Sequence, residues 1–525
     1  MFNNIITSKS FHFFVAIIVA ILTTGFLRLQ LLSGAPETDG GFYTFTNQYF
    51  YYLLSNGEDL KKFPLFLYQF MTSWVFGFEV NQFILLRLID LLVAVTASFI
   101  FFKVILKESG STLFSVITAS ALFIGMNNIE IIGYGYMNSI WAAYLPLFTA
   151  LLVWQKSSKE DTFSFYVIGA LVSLGVLLRE PFLPFFLLAG VAIFIGYGWR
   201  VLHRYLIGSA ILGFSVIAFL LMFRGWDLLD LTNTYTNGFF LAGTANWIWD
   251  IPAGREKVLR YAIGTIKSNW FIFVIALASI IYLIKVYLSD KKSVNMNRFY
   301  FWLAIGLLPL LEWFFKYGLP YHLANCLPGL LGLSAMSWRY INNNESKRIN
   351  TSSLLVLGLM SLFVILPTIN HKIIQSSYIY TPKDAIYQAG NLSIFRTKDS
   401  IARNQFLIAA AKIYGLSRED STLAVNGYWQ PLYPLTNLLP PIIELSSLRA
   451  LFIHLDYNED KLIKVLEEHR PTLIFLSPPN LTDRTNFSSM VEKTNLYNKV
   501  GVVPENLKIS KGYLHGVIYR LKDFK

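Results

Sequence analysis

About eleven stretches of this chain are apolar over roughly the length that a bilayer-spanning helix requires, on the order of 20 residues: 11–32, 81–106, 112–126, 138–154, 164–178, 181–198, 204–223, 268–288, 298–316, 319–338 and 351–370. No other feature narrows the fold as much. Backbone in hydrocarbon has to satisfy its N–H and C=O groups internally, and a helix does so within a single segment. Composition agrees: 54% of residues are hydrophobic and 14% charged, against about 25% charged in an ordinary soluble domain, and the mean hydropathy is +0.48. The expected fold is a polytopic α-helical membrane protein. The net charge of +12 then reads as basic cytoplasmic loops, not as a nucleic-acid surface. The single cysteine, Cys326, excludes an internal disulfide and any multi-cysteine metal centre.

The first apolar run, Phe11 to Leu32, is too long for a signal-peptide core, and Ala35-Pro36 is a poor cleavage site, so it is expected to remain as an anchor. With the N-terminus in the cytoplasm, the inside connections carry Lys9, Lys103, Lys107, Lys156, Lys159, Arg200, Arg204, Lys285, Lys291, Lys292, Arg298, Arg339, Lys347 and Arg348. That is a strong positive-inside pattern. An odd number of spans places 33–80, 127–137, 224–267 and everything after about 370 outside. Arg179, Glu180 and Pro181 interrupt what would otherwise be one long apolar stretch.

Residues 1–370 therefore form the expected transmembrane domain, and 371–525 a soluble extracytoplasmic α/β domain. In the latter, Leu423–Trp429, Leu451–His454 and Leu473–Ser477 read as strands, and Asn458–His469 and Thr485–Asn495 as helices. It has no G-x-G-x-x-G, Walker A or H-E-x-x-H pattern. Tyr428 and Trp429 would suit stacking on a sugar ring, although core packing of Trp429 is the more ordinary expectation.

The first outside loop opens with Glu37-Thr38-Asp39-Gly40-Gly41-Phe42-Tyr43 and continues to Lys61-Lys62-Phe63-Pro64-Leu65. Phe42, Phe45, Tyr49 and Tyr52 or Leu53 recur at spacings of three and four, which predicts an amphipathic helix lying in the membrane interface and holding two acids at fixed depth. A solvated acidic loop beside an aromatic belt is the alternative.

An acid-bearing motif after the first span, Tyr43 four residues beyond Asp39, the Pro64-Leu65-Phe66 element, many further spans and a soluble tail together resemble the GT-C glycosyltransferases. The nearest are those of glycosyltransferase family 39, such as protein O-mannosyltransferases and aminoarabinose transferases. The family's Asp-Glu-x-x-Tyr here reads Asp39-Gly40-Gly41-Phe42-Tyr43, without the Glu. The resemblance implies an inverting enzyme of a bacterial inner membrane. It would move a sugar from a polyprenyl-phosphate donor to a protein, lipid or glycan acceptor outside the cytoplasm, with membrane lipid around it and no nucleic-acid partner.

Such a transfer needs a base for the acceptor hydroxyl and positive charge for the departing phosphate. The resemblance assigns the base to Asp39, with Glu37 as substitute. In the loop from Asn127 to Asn138 family relatives often carry another acidic or amide group facing the site, so Glu130 and Asn138 are further candidates; Glu130 joined with Asp39 would suit magnesium or manganese, while a helix-end carboxylate is the plainer reading of Glu130. Arg179 would bind the lipid phosphate through its planar fork or simply pair with Glu180. In 224–267, Arg255 and Lys257 would lie nearest the donor phosphate, whereas Arg260 and Lys267 read as snorkelling bases. Lys316-Tyr317-Gly318-Leu319-Pro320 resembles the family's basic-Tyr-x-x-Pro element, so Lys316 and Tyr317 would donate to phosphate; His322 reads as structural. Two other classes compete: a transporter or flippase of a lipid-linked saccharide, for which charges at membrane depth also argue, and a polysaccharide polymerase or ligase with catalytic groups in late loops.

Overall fold

The computed structural model describes residues 38–56, 67–78, 82–126, 138–157, 161–179, 182–223, 263, 270–289, 294–316, 325–343, 385–389, 392–395, 409–410, 412–426, 429–446, 448, 458–476, 487–503 and 516–524. The expected spans at 11–32 and 351–370 and the strand at 451–454 lie outside them. The chain is mostly helical with a small sheet. After α1 (Thr38–Asn56), α2 (Leu67–Thr72) and a 3-10 turn (Ser73–Gly77), nine helices among the described residues follow the apolar runs. They are α3 (Gln82–Ser109), α4 (Thr112–Met126), α5 (Asn138–Trp154), α6 (Thr162–Leu178), α7 (Leu183–Tyr197), α8 (Trp199–Phe223), α9 (Trp270–Ser289), α10 (Met296–Lys316) and α11 (Leu327–Asn343). Among the described residues, two helical segments, Leu88–Ser109 and Trp199–Phe219, are long and apolar enough to cross a membrane. α11 starts eight residues later than the apolar run at 319 suggests, after a 3-10 turn at Asn325 and Cys326.

Breaks between helices follow from local chemistry. Gly110 takes a left-handed φ of 69°, and Ser111 Oγ caps α4 by accepting from Phe114 N–H at 3.3 Å. Gly198, at φ 87°, ends α7 and donates to the Phe194 carbonyl at 2.9 Å. Asp161 caps α6, accepting from the Ser164 backbone N–H at 3.2 Å and from the Ser164 hydroxyl. Those bonds, the hydroxyl's first, hold its carboxyl below the usual range.

Close packing sets the helix directions. Phe101 meets Phe148 at 4.8 Å, and Gln155 Nε2 donates to Glu108 Oε1 at 2.7 Å, so α3 and α5 run parallel. α7 runs against α8, with Phe186 stacked on Tyr205 at 5.3 Å and Phe194 against Trp199 at 6.5 Å. α6 and α8 cross at glycines: a β-carbon at Gly169 would lie 2.0 Å from the Tyr205 carbonyl oxygen, and one at Gly208 equally close to that of Tyr166. α10 and α11 are antiparallel, with Gly329 against Gly306 and Gly332 against the Trp302 ring. Helix ends consequently sort into two sets. α3, α5, α7, α9 and α11 finish where α4, α6, α8 and α10 begin, and Lys103, Lys107, Lys156, Arg200, Arg204, Lys285, Arg298 and Arg339 all fall at that basic end.

The C-terminal sheet has the order β3-β4-β6-β5, built from β3 (Leu423–Val425), β4 (Leu473–Leu476), β5 (Tyr497–Val503) and β6 (Gly516–Leu521), after a separate hairpin of β1 (Ala385–Ala389) and β2 (Leu392–Phe395). β3 and β4 are parallel and the other pairs antiparallel. Thr422 and Thr472 lock the parallel register: each hydroxyl accepts from the other's backbone N–H, at 3.1 and 2.7 Å. β3 is shorter than the expected 423–429 strand, because a turn at Gln430 and Pro431 leads into α12 (Leu432–Thr436).

Strand alternation divides the sheet's core in two. Ala424, Ile474, Leu476 and Tyr519 pack with Leu462, Leu466 and Val491 of α13 (Glu459–His469) and α14 (Phe487–Lys493). Asn458 caps α13, accepting from Lys461 N–H at 2.9 Å. Leu423, Val425, Leu473, Phe475 and Ile518 face the other way and are covered by α12 and α1.

If the α6–α8 crossing requires glycine, Gly208→Ala should destabilise the purified protein by about 1–3 kcal/mol or more, the usual cost of overpacking. An unchanged melting midpoint would contradict that packing.

Candidate functional site

α1 is the helix that the aromatic spacing in the first loop predicts, but its apolar face meets protein. Phe45, Tyr49, Phe50 and Leu53 are buried in the same core as Val425, Tyr433, Phe475 and Ile518. Phe45 stacks on Tyr433 with centroids 4.4 Å apart and planes 30° from parallel. Gln48 Nε2 donates to Asn437 Oδ1 at 3.2 Å. The expected interfacial helix is thereby corrected: an apolar stripe of this size is satisfied by any apolar cover, and the open face of the C-terminal sheet provides one. Burial holds the Tyr433 phenol well above its ordinary pKa, and its hydroxyl donates to the Leu445 carbonyl at 3.3 Å, so this contact is neutral across the physiological range.

The opposite side of α1 is polar and fixed to the bundle. Asn47, fully buried, donates through Nδ2 to the Gln69 carbonyl at 2.8 Å and to Thr72 Oγ1 at 2.7 Å. From α2, the Tyr68 hydroxyl donates to Asp90 Oδ1 of α3, an acid only 1% exposed. Phe70 meets Phe219, near the C-terminal end of α8, at 5.5 Å. α1 and α2 therefore sit at the end of the bundle opposite the basic one.

Arg179 lies at that end too. It follows α6 as its C-cap, extended at φ −158° and ψ 111°, and its N–H donates to the Gly175 and Val176 carbonyls. Its side chain is 6% exposed. The Tyr144 phenol of α5 feels both the Arg179 charge and the Cys326 thiol. Phe182, beyond the break, packs on Tyr144 at 5.3 Å. Asn325, 3% exposed, precedes Cys326, and its Oδ1 accepts no hydrogen bond among the described residues. A buried cation and a buried phenol thus lie close to one another at this end, with Cys326 within electrostatic reach of the phenol.

Four of the residues singled out from sequence share this end by helix direction: Asp39 in the first turn of α1, Asn138 as the first residue of α5, Arg179, and Lys316 as the last residue of α10. Tyr43, one turn along α1 from Asp39, is half-buried. Glu37, Glu130, Arg255, Lys257, Tyr317 and His322 lie outside the described residues. Among the described residues no three potential metal ligands come together. Sequence reasoning passed over Asp90, Tyr144 and Asn325. For Asp90 the signal was present, an acid inside an apolar run; Tyr144 and Asn325 carry no mark in their local sequence.

No protein-family model matches this chain, and comparison with curated proteins returns no significant match.

Truncating the stacked ring of α1, Phe45→Ala, should cost about 3–5 kcal/mol, as for other buried aromatics. Limited proteolysis should then cut within 409–524 at protease levels that leave the wild type intact. Unchanged resistance would mean that α1 is not the cover of the sheet.

Proposed function

We propose that this protein is a multi-pass membrane glycosyltransferase of the GT-C kind, transferring a sugar from a polyprenyl-phosphate donor to an acceptor outside the cytoplasm. The observation that carries the reading is the sorting of helix ends. Bases gather at one end, as cytoplasmic connections do, while Asp39, Asn138, Arg179 and Lys316 belong to the other. Exposed apolar side chains on the outer faces, among them Phe214 at 70% and Met222 at 79%, support lipid as their surroundings. The shorter helices then count as spans alongside α3 and α8, in a bacterial inner membrane with the N-terminus in the cytoplasm. Docking of the C-terminal sheet on α1 supports a common side for the two, which in this reading is the extracytoplasmic one.

In this reading the acceptor hydroxyl attacks the anomeric carbon of the donor. Its proton passes to the Asp39 carboxylate, and the bond between that carbon and the phosphate oxygen breaks, its electron pair leaving with the polyprenyl phosphate. Attack from the face opposite the phosphate inverts the anomeric centre. Arg179 supports the departing phosphate, since a buried guanidinium interacts more strongly than a solvated one; Lys316, Arg255 and Lys257 supplement it, and Tyr43 lines the acceptor side.

Asp39→Asn should lower the transfer rate by about 10² to 10⁴, the usual contribution of a general base, with folding unchanged; activity above a tenth of wild type would move the base to Glu37. Arg179→Ala and Lys316→Ala should impair use of the labelled donor and leave acceptor preference alone. An effect confined to acceptor kinetics would contradict the phosphate role. A reporter fused after Lys525 should score outside the cytoplasm, and a cytoplasmic score would overturn the topology.

A further inference from the structure

At the basic end, far from Asp39, a cavity of about 240 Å³ opens among the ends of α3, α5, α7 and α10. Its walls are aromatic, with Trp154, Tyr197 and Phe301, the first and last in edge contact at 5.0 Å. Its floor is polar. Glu108, buried, accepts from Gln155 Nε2 at 2.7 Å and faces Arg298 Nη1 at 3.5 Å. The Gln155 Oε1 has no hydrogen-bond partner among the described residues.

Arg298 is oddly placed for a structural cation. It lies in the first turn of α10, where the helix dipole disfavours positive charge, and one carboxylate at 3.5 Å leaves most of its five N–H donors uncommitted to Glu108. Lys107 lies within electrostatic reach of Lys156, Arg298 and Glu108. Among the described residues, three cations thus stand around one buried anion, with Arg298 lining the cavity and Lys107 and Lys156 next in sequence to its lining residues Glu108 and Gln155. Beside it, α7 turns Val191, Phe194 and Ile195 outward, each at least half exposed. A charged recess under an aromatic rim, continuous with an apolar outer face, has the shape of an amphiphile with an anionic head.

We infer that this cavity binds the headgroup of an anionic phospholipid of the adjoining leaflet, with Arg298 on the phosphate, Glu108 and Gln155 holding the guanidinium, and an acyl chain along α7. Basic recesses between helix ends on the cytoplasmic side recognise lipid headgroups in this way. The inference rests on the membrane reading above and not on the roles of Asp39 or Arg179.

The test uses the full-length protein, purified and delipidated in detergent, titrated with phosphatidylglycerol or phosphatidylcholine and read by native mass spectrometry. Wild type should prefer phosphatidylglycerol by about fivefold or more, the worth of one juxtamembrane base. Glu108→Gln combined with Arg298→Gln, which removes the pair without stranding a buried charge, should abolish the preference; the exposed Lys156→Gln should reduce it. Asp39→Asn should bind as wild type does, which separates this outcome from that of the transfer assay. Equal binding of both lipids by wild type, or a preference that survives in the double variant, would overturn the proposal. Displacement of the lipid by millimolar inorganic phosphate would also overturn it, by making the site one for a free anion.

Discussion

The stack of Phe45 on Tyr433 joins the two halves of this protein. A four-stranded sheet with apolar side chains on both faces needs two covers. α13 and α14, close in sequence, supply one. The other comes from α12, from Ala409, Ala410 and Ile413, and from α1, nearly four hundred residues upstream in the chain, whose Phe45, Tyr49, Phe50 and Leu53 enter the same core as Val425 and Phe475. Removing α1 from the sheet would expose that core, and removing the sheet would expose the aromatic stripe of α1.

From α1 the linkage continues through polar bonds of short reach. Asn47 is tied to Gln69 and Thr72, and Tyr68 to Asp90, so α1, α2 and α3 form a connected series across the end of the bundle. Buried polar groups tolerate little displacement, because a lost partner leaves them neither hydrated nor bonded. The first turn of α1, which carries Asp39, is thus positioned from both sides: by ring packing against the sheet and by hydrogen bonds to the helices. An acid on a free loop would have neither constraint.

The helical body separates its two ends. Glycines at 169, 208, 306 and 329 permit close crossings, and the resulting directions bring Glu108, Gln155 and Arg298 together at one end and Arg179, Tyr144 and Cys326 at the other. The two polar groupings differ in kind. The first is an ion pair within a basic field at a cavity; the second is a buried cation near a buried phenol. Under the function and lipid site proposed above, they would serve two anionic ligands on opposite sides of one membrane, the phosphate of a lipid-linked sugar and a lipid headgroup.

Much of the helical organisation was legible in the sequence, because an apolar run of spanning length admits few folds, and the Gly110, Asp161 and Gly198 boundaries follow from local backbone chemistry. The bounds of α4 and α5 agree with their apolar runs, as α13 does with its spacing and its Asn458 cap. The Arg179 break and the core position of Trp429, which packs on Phe475 at 4.4 Å, were likewise visible. Three things were decided by tertiary structure. Periodicity shows that a stripe is apolar and not what covers it, so α1 read as a lipid-facing helix when its cover is a sheet. Asp90, Tyr144 and Asn325 acquire meaning only from neighbours distant in sequence. And Glu108 and Arg298, 190 residues apart, become a pair only once α3 and α10 present their ends to the same cavity, since electrostatic partners are set by distance in space.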